Sequence, residues 1–437
     1  MSGSPEPTDG PGAVARIPAG ARVLLPHGCI EPLSVFDALG ASAGQPDLPP
    51  HLYVGLHFGT YGFLGPRREQ PDPSTGALSD GWRFSTWQVG PAIRGAMSRG
   101  RIGFLPARFR DLPRLFGRGG ALAADVVVLQ CAPPRGDRAN LGISCSIFPA
   151  AIEAAKLVIA EIHPDMPWTR GSTEIPLSRI DLVTEATGPL CTLPRAVPDD
   201  VDRAIVERVL GLVPPGAWVQ LGVGAVPDCI LARLAEVPGV RLHSGMLTDA
   251  LTDFLDASGP DARVVTGELE GSLEAYRRAA ADPRVELRPT TLVHDVPYLG
   301  SLERFVSINS AIEVDLSGQV NGEAIDGAQV SGVGGSLDFV EAARYSPGGM
   351  SIIALRSTAR GRSRIVARLR EGTPVSVPRF AVDVVVTEHG VARLAGLDLE
   401  QRARALVDVA SPDARRELGE AFERISRGTP PREGRHG

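Results

Sequence analysis

The feature of the sequence that most constrains its fold is a series of short, continuous runs of Val, Ile and Leu. In the first half the runs are "ARVLLPH" (21–27), "HLYVGLHF" (51–58), "ADVVVLQCA" (124–132) and "KLVIAEIH" (156–163). Segments with helical spacing, such as "PAAIEAAK", lie between them. Continuous apolar runs that alternate with helices are typical of parallel sheets covered on both faces. The sequence therefore predicts an α/β protein with open, mainly parallel sheets flanked by helices.

A second series of apolar runs follows in the other half of the chain. Its members are "AWVQLGVG" (217–224), "VRLHSG" (240–245), "RVVTGEL" (263–269), "SIIALRS" (351–357) and "AVDVVVTEHG" (381–390). A Pro-rich stretch separates the two series and leads into a helical pattern that Asp199 or Asp200 caps. The predicted organisation is a flexible tail (1–17), an N-terminal α/β domain (18–195), a C-terminal α/β domain (196–427) and a second flexible tail (428–437).

Composition excludes several classes of protein. The 437-residue chain has 45 basic and 51 acidic residues, a net charge of -6, which disfavours a nucleic-acid partner. Its apolar runs are too short to cross a membrane, so no membrane partner is expected. The cysteines show no CxxC pair and no His/Cys ligand spacing, which disfavours a metal site and a disulfide framework. Scattered cysteines favour a reducing, cytoplasmic compartment.

Two glycine turns are candidate ligand sites. In "QLGVGAVPD", Gly222 and Gly224 follow an apolar run and precede a helix, so backbone N–H groups and the helix dipole can receive an anion or a carbonyl oxygen. A tight strand-to-helix turn without a ligand is the alternative. In "SGVGGSLDF", Gly332, Gly334 and Gly335 lie within four residues, which lets successive N–H groups point at a developing oxyanion.

These motifs, in their order and spacing, resemble the acetyl-CoA hydrolase/transferase family. Further pieces of the resemblance are "VIAEIHPDMPWTRG", "SINSAIEVDLSGQVNGEAI", "SRIV" and "VVTEHGVARLAG". The resemblance implies two CoA-transferase-type α/β domains and a homodimer. It also implies a coenzyme A thioester as substrate, a small-molecule acceptor as the second partner, and no permanently bound cofactor.

The resemblance assigns roles to individual positions. It implies that Gly222, Gly224 and Pro227 form the turn that holds CoA, together with Gly332, and that Asn309 lies near the pantetheine arm. It implies that Gly334 and Gly335 are the closest N–H donors to the thioester oxygen. Aromatic and Arg residues in two segments are expected in the substrate pocket: Trp168 and Arg170 in the first, and Trp82, Trp87 and Arg94 in the second.

One position departs from the family pattern. Members of the family read His-Ser/Thr-Glu-Met where this sequence reads His243-Ser244-Gly245-Met246, and in the family the glutamate attacks the thioester to form glutamyl-CoA. The flanking residues keep the register. The nucleophile position is therefore occupied by Gly245, which has no side chain.

Few side chains are candidates for a general base in place of that glutamate. His243 is one candidate, with a packed structural histidine as the alternative. Glu388 and His389, which follow a predicted strand, are others, with a surface position as the alternative. Glu268 and Glu270 in "TGELEGS" are carboxylates that can enter the emptied space. Cys145 as a nucleophile is the least favoured, since a single cysteine after an apolar run is usually packing.

These observations predict an acyl-CoA-dependent enzyme, an acyltransferase or hydrolase, that works by direct attack. An amine, an alcohol or water attacks the thioester without a glutamyl-CoA intermediate. Two alternatives remain open. The chain is a ping-pong acyl-CoA:carboxylate CoA-transferase that uses another carboxylate, or it is a non-catalytic CoA-binding subunit.

Overall fold

The computed structural model describes residues 4–42, 50–59, 83–98 and 102–426. The strands are β1 (Glu6–Pro7), β2 (Arg22–Leu24), β3 (His51–Val54), β4 (Arg83–Thr86), β5 (Gly103–Phe104), β6 (Val126–Arg135), β7 (Arg138–Asn140), β8 (Leu157–Ile162), β9 (Glu174–Pro176), β10 (Leu182–Glu185), β11 (Trp218–Leu221), β12 (Arg241–Leu247), β13 (Val264–Leu269), β14 (Val285–Leu287), β15 (Phe305–Asn309), β16 (Glu313–Asp315), β17 (Val320–Asn321), β18 (Ala324–Ile325), β19 (Ala328–Gln329), β20 (Met350–Ala354), β21 (Thr358–Ala359), β22 (Arg362–Ser363), β23 (Ile365–Val366), β24 (Val384–Thr387) and β25 (Gly390–Arg393). The helices are α1 (Gly10–Ala15), α2 (Leu33–Ala41), α3 (Arg94–Ser98), α4 (Leu112–Phe116), α5 (Phe148–Ala154), α6 (Asp200–Leu210), α7 (Ala225–Arg233), α8 (Ala250–Ala257), α9 (Leu273–Ala281), α10 (Thr290–Val293), α11 (Val296–Ser301), α12 (Ser336–Tyr345), α13 (Leu399–Val409) and α14 (Pro412–Ser426).

The chain divides into two compact units that interleave along the sequence. Unit 1 comprises Met1–Arg195, Arg241–Asp295 and Ala328–Asp338, and unit 2 comprises Ala196–Val240, Val296–Gly327 and Phe339–Gly437. The first division falls where the sequence places a domain boundary, after Arg195. The later segments of unit 1 lie within the stretch assigned to the C-terminal domain, 196–427, and the predicted domain bounds stay a prediction.

The larger sheet of unit 1 has the strand order β1-β10-β8-β6-β2-β3-β4-β5. Its neighbours pair in parallel, whereas β7 pairs antiparallel with β6 and with β9. Val126 and Val128 belong to the apolar cluster on one face of this sheet, and Val127 and Leu129 belong to the cluster on the other. Both faces are covered, which is why these strands are continuous apolar runs rather than alternating ones.

Unit 1 also contains three parallel strands, β12, β13 and β14, with β13 in the middle. Beyond the end of β14, segment 143–145 pairs with the last part of β13, through Cys145 N–H to Gly267 O at 3.0 Å and Leu269 N–H to Ile143 O at 2.9 Å. The carboxyl end of β13, which carries Glu268, is therefore held on both sides.

Unit 2 contains the strand series β11-β15-β20-β24-β25, in which the first four strands are parallel and β25 is antiparallel. Helix α6 begins after the N-cap Asp199, whose side chain accepts from the N–H groups of Val201 and Asp202 in a capping box. The guanidinium of Arg356 binds both Asp199 and Asp202, at 2.9 and 2.6 Å. The α/β fold class predicted from the apolar runs is confirmed in both units.

The structure differs from the sequence expectation at the N-terminus. Residues predicted as a flexible tail form β1, which pairs in parallel with β10, and α1, which Asp9 caps. Pro11 lies in the first turn of α1, where a missing N–H costs nothing, and Ala13 is fully buried. Short Pro- and Gly-containing segments thus form elements here because tertiary packing holds them. The predicted C-terminal tail, 428–437, lies outside the described residues.

Candidate active site

The glycine loop, residues 332–335 of unit 1, is the first part of the candidate site. A Cβ atom on Gly332 would collide with the carbonyl oxygen of Trp87, so only glycine fits there. Gly334 has φ +61, a conformation that glycine adopts without strain, and its carbonyl accepts from the N–H of Phe109 at 3.0 Å. Gly334 takes part in a parallel bridge with Arg108, whereas within the described residues the N–H of Gly335 has no acceptor. The N–H of Gly335 is therefore available to a ligand oxygen.

His27 lies just after β2, and it is the residue that sequence reasoning missed. Its Nε2 is 2.8 Å from Oε1 of Glu268 and 2.8 Å from Oγ of Ser146. Its Nδ1 is buried and has no hydrogen-bond partner among the residues that the structure describes. The imidazole packs against three aromatic rings, those of Trp87, Phe109 and Phe148, at centroid distances of 5.5, 5.7 and 5.5 Å.

Two carboxylates approach the main chain beside His27. Gly28 has φ +69, and a Cβ atom placed on it would lie 2.9 Å from Oε2 of Glu268 and 2.9 Å from Oε1 of Glu270. Both glutamates are at least 95 % buried, with relative exposures of 3 % and 4 %. We call His27, Ser146, Glu268 and Glu270, which gather at Gly28, the His27 cluster. Buried acids this close to one another are typical of functional sites.

Gly245 lies one strand away from this cluster. The register of β12 and β13 pairs Ser244 with Thr266 and Met246 with Glu268, so Gly245 lies beside Gly267. A Cβ atom on Gly267 would be 2.9 Å from the carbonyl oxygen of Gly245. Gly245 and Glu268 are therefore on neighbouring strands of one unit. The expectation that Glu268 enters the space at Gly245 stays a prediction, since Gly245 is level with Gly267 and successive side chains of a strand point to opposite faces.

The structure gives His243 a packing environment. Its Nε2 is 3.1 Å from the carbonyl oxygen of Val293, and the side chain is fully buried. Burial lowers the pKa of His243 to about 4. A neutral imidazole that donates to a backbone carbonyl has a structural role, which is the alternative that the sequence left open.

The predicted substrate-pocket residues fall into two groups. Trp87 contacts His27, and Arg94 donates to the carbonyl oxygen of Val330, at 3.1 and 3.3 Å, at the start of the glycine loop. Trp168 instead donates to the Pro133 carbonyl at 2.8 Å. Arg170 donates to the last carbonyls of α9, those of Ala280 and Ala281, at 3.4 and 3.3 Å. Trp82 lies outside the described residues.

The predicted CoA turn belongs to unit 2. Gly224 has φ +124 and forms the N-cap of α7, in which Pro227 lies in the first turn. Asn309 donates to Gln220 at 3.0 Å, and its Oδ1 would lie 3.4 Å from a Cβ atom on Gly222. A side-chain amide held by hydrogen bonds thus sits directly beside the glycine turn.

Glu388 and His389 also belong to unit 2. Glu388 accepts from the N–H and the Oγ–H of Ser357 at 2.8 and 2.6 Å, and His389 Nε2 is 3.7 Å from its Oε1. Both carboxylate oxygens of Glu388 thus accept hydrogen bonds from Ser357. Cys145, in unit 1, donates to the Ser172 carbonyl at 3.2 Å, and burial raises the pKa of its thiol to about 12. A thiol with that pKa is a poor nucleophile at neutral pH.

The described residues, 4–42, 50–59, 83–98 and 102–426, offer neither a metal-binding cluster nor a membrane-spanning helix. No group of three or more His, Cys, Asp or Glu side chains there is arranged to hold a metal ion. Among the helices of the same residues, none is long and apolar enough to cross a bilayer.

Comparisons with known proteins identify the family. The acetyl-CoA hydrolase/transferase N-terminal domain matches residues 15–191, and the C-terminal domain of the same family matches residues 271–422. The 4-hydroxybutyrate coenzyme A transferase of Clostridium kluyveri is 34% identical over 423 residues, which cover 94% of this chain and 96% of that relative. The chain belongs to the acetyl-CoA hydrolase/transferase family.

Further similarities agree with that membership. The butyryl-CoA:acetate CoA-transferase of Anaerostipes caccae is 31% identical over 78% of this chain and 80% of its own length. The crystal structure of RipA from Yersinia pestis superposes with a TM-score of 0.86 at 27% identity, and covers 96% of this chain and 98% of that one. The family resemblance inferred from the glycine motifs is confirmed.

Proposed function

We propose that this protein is an acyl-CoA-dependent enzyme in which an acceptor attacks the thioester directly, without a glutamyl-CoA intermediate. The observation that carries the proposal is the His27 cluster, which supplies buried carboxylates close to a glycine where the family has its nucleophile. The same unit holds the glycine loop, in which the N–H of Gly335 has no acceptor among the described residues. Buried carboxylates and backbone N–H donors together can catalyse attack on the thioester by an acceptor molecule instead of by an enzyme side chain.

The geometry of the His27 cluster favours Glu268 as the base. In a Ser-His-carboxylate triad the serine and the carboxylate bind opposite nitrogens of the imidazole. Here Ser146 and Glu268 both bind Nε2 of His27, so the imidazole cannot relay a proton from one to the other. Instead His27 holds Oε1 of Glu268 and leaves Oε2 toward Gly28 to accept a proton.

The reaction then has one chemical step on the acyl group. The acceptor, an amine, an alcohol or water, loses its proton to Glu268 as its N or O bonds to the thioester carbon. The N–H groups of Gly334 and Gly335 stabilise the oxyanion, and the carbon–sulfur bond breaks as the carbonyl re-forms. CoA leaves as the thiol, after its sulfur takes the proton, so the products are the acylated acceptor and free CoA. We expect the turn at Gly222 and Gly224 to hold the CoA.

A second candidate is a CoA transfer in which Glu268 or Glu270 is the nucleophile. Two observations favour it: both carboxylates lie at the end of the strand next to Gly245, and the named relatives are CoA-transferases. In this case the carboxylate attacks the thioester carbon and displaces CoA thiolate, which gives a mixed anhydride of the acyl group and the glutamate. The thiolate then attacks the glutamyl carbonyl, so that glutamyl-CoA forms and the acyl group leaves as its carboxylate. An acceptor carboxylate runs the same two steps in reverse, which gives the new acyl-CoA and restores the glutamate.

One experiment separates these candidates. The purified protein is incubated with a panel of acyl-CoAs, from acetyl to long-chain, together with an amine, an alcohol or a carboxylate acceptor. Free thiol release is followed, and the intact protein is weighed by mass spectrometry with and without borohydride trapping. A peptide that spans residues 263–271 is inspected for modification, since it contains both candidate carboxylates.

Each outcome has a distinct meaning. Thiol release from a protein whose mass stays unchanged supports direct attack. A CoA adduct on Glu268 or Glu270 overturns direct attack and establishes the transfer candidate. If CoA binds but no acyl-CoA and acceptor pair gives turnover, the protein is a CoA-binding subunit without its own chemistry. Family membership also leads us to propose a homodimer, and the cysteine pattern leads us to propose a cytoplasmic location.

A further inference from the structure

Asp338 is a fully buried carboxylate that the mechanism above does not use. It lies in the first turn of α12, three residues after Gly335. Its Oδ1 accepts from Nε of Arg108 at 2.6 Å. Its Oδ2 accepts from the backbone N–H of Arg110 at 3.2 Å and from Nδ1 of His294 at 3.1 Å. Three donors on one carboxylate hold it in a single orientation.

The same residues fasten the glycine loop through the backbone. Phe109 N–H donates to Gly334 O at 3.0 Å, and the N–H of Asp338 donates to Gly335 O at 3.0 Å. Arg108 and Gly334 also form an isolated parallel bridge. Segment 108–110 is therefore tied to the loop by its main chain and to Asp338 by its charges.

The ring of Phe109 connects this arrangement to the His27 cluster. Its centroid is 5.0 Å from the imidazole of His294 and 5.7 Å from that of His27. A displacement of segment 108–110 would therefore move the glycine loop and the packing surface of His27 together. Both are parts of the proposed chemistry.

We infer that Asp338, with His294 and Arg108, is a positioning network that sets the glycine-loop N–H groups relative to the His27 cluster. The inference rests on the proposed function, because the loop matters for catalysis only if it receives the thioester oxygen. Misplacement of reacting groups by about 1 Å costs on the order of 10²-fold in rate. The network should therefore act on kcat and leave acyl-CoA binding nearly unchanged.

The test compares two substitutions of one residue. His294→Asn keeps an N–H donor near the position of Nδ1, whereas His294→Leu keeps the volume and removes the donor. We expect kcat of the Leu variant to fall about 10- to 100-fold, with KM for the acyl-CoA within about 3-fold, and the Asn variant to stay within about 3-fold of the parent in both. Hydrogen exchange of the peptide covering 328–337 should be faster in the Leu variant only.

Asp338→Asn and Asp315→Asn form a second, matched pair. Asp315 is a buried aspartate of unit 2 that accepts four hydrogen bonds from Ser317 and Gln319. We expect Asp315→Asn to lower the unfolding temperature without changing kcat, and Asp338→Asn to lower kcat. If Asp338→Asn fails to fold, the His294 pair alone carries the test.

The results separate the inference from the proposed function. If the parent protein releases no thiol, the proposed function fails, and hydrogen exchange still reports whether His294 orders the loop. If the parent is active and His294→Leu matches it in kcat and in exchange, the inference is wrong. Equal losses in the Leu and Asn variants also overturn it, because the lost donor would then not be the cause.

Discussion

Unit 1 holds two buried histidine–carboxylate pairs, and they differ in what surrounds the carboxylate. Asp338, beside His294, also receives a guanidinium and a backbone N–H. Glu268, beside His27, has no Lys or Arg partner among the described residues and turns its second oxygen toward Gly28. A carboxylate whose charge is fully compensated serves to hold structure, whereas one with an unoccupied oxygen near a second acid can exchange a proton. The difference indicates that the His27–Glu268 pair takes part in the proposed chemistry and that the His294–Asp338 pair positions the glycine loop.

The largest effect is expected from Glu268→Gln. Glutamine cannot accept the proton from the acceptor, so thiol release should fall by at least about 10²-fold, in line with the loss of a general base. The control is Glu286→Gln, a half-exposed carboxylate on the adjacent strand β14 that binds Arg288, and it should keep full activity. Steady-state thiol release at saturating acyl-CoA is the measurement. Equal activity in the two variants would remove Glu268 from the mechanism and leave Glu270 as the candidate.

A smaller effect is expected from Gly28→Ala. It tests whether the positions of the Glu268 and Glu270 carboxylates depend on the absence of a side chain at residue 28. The new Cβ would lie 2.9 Å from an oxygen of Glu268 and 2.9 Å from one of Glu270. Displacing both should lower kcat about 10- to 100-fold. Gly119→Ala is the control, since Gly119 has φ +75 and nothing within 4 Å of its Cβ position. It should lose about 1–2 kcal/mol of stability through backbone strain and keep its kcat. Similar activities in both variants would show that strain alone acts at Gly28.

The smallest effect concerns His243, a buried histidine whose Nε2 lies 3.1 Å from the carbonyl oxygen of Val293. Burial lowers the pKa of His243 from an ordinary 6.5 to about 4. Between those two pH values the imidazole is protonated in the unfolded chain and neutral in the folded chain. Stability is therefore unaffected above about pH 6.5 and falls as the pH drops toward 4. His243→Gln, which keeps a donor for Val293 O, should reduce that fall by about 1.4 kcal/mol per pH unit. Urea unfolding between pH 7 and pH 5 measures the slope, and parallel slopes for parent and variant would contradict the prediction.

The sequence predicted the parts of the structure that depend on local pattern. The strand β6 and the helix α6 follow from apolar runs and from a cap expected at Asp199 or Asp200, because these signals involve residues close in the chain; the structure shows that the cap is Asp199. The sequence also predicted the glycine loop as a candidate ligand site, because three glycines within four residues let successive N–H groups point at a ligand. Gly245 was visible only against the family pattern.

The His27 cluster could not be predicted in the same way. His27 and Glu268 are 241 residues apart, and no local pattern joins them. The available signal was that His27 directly follows a parallel strand, where ligand sites of α/β sheets gather. Trp168 and Arg170 are expected in the substrate pocket from the family resemblance alone, and that expectation stays a prediction, since the structure shows only that both donate to backbone carbonyls.

The interleaving of the two units has a consequence for how the protein is made. His27 and Ser146 leave the ribosome early, but Glu268 and the glycine loop that complete their surroundings belong to the later segments Arg241–Asp295 and Ala328–Asp338. The first 195 residues are therefore synthesised before any of unit 2, and they include His27 without its partner Glu268. A fragment that ends at the first unit boundary would lack the partner of His27. Unit 1 is thus complete only once the chain has been synthesised as far as Asp338, well beyond its N-terminal half.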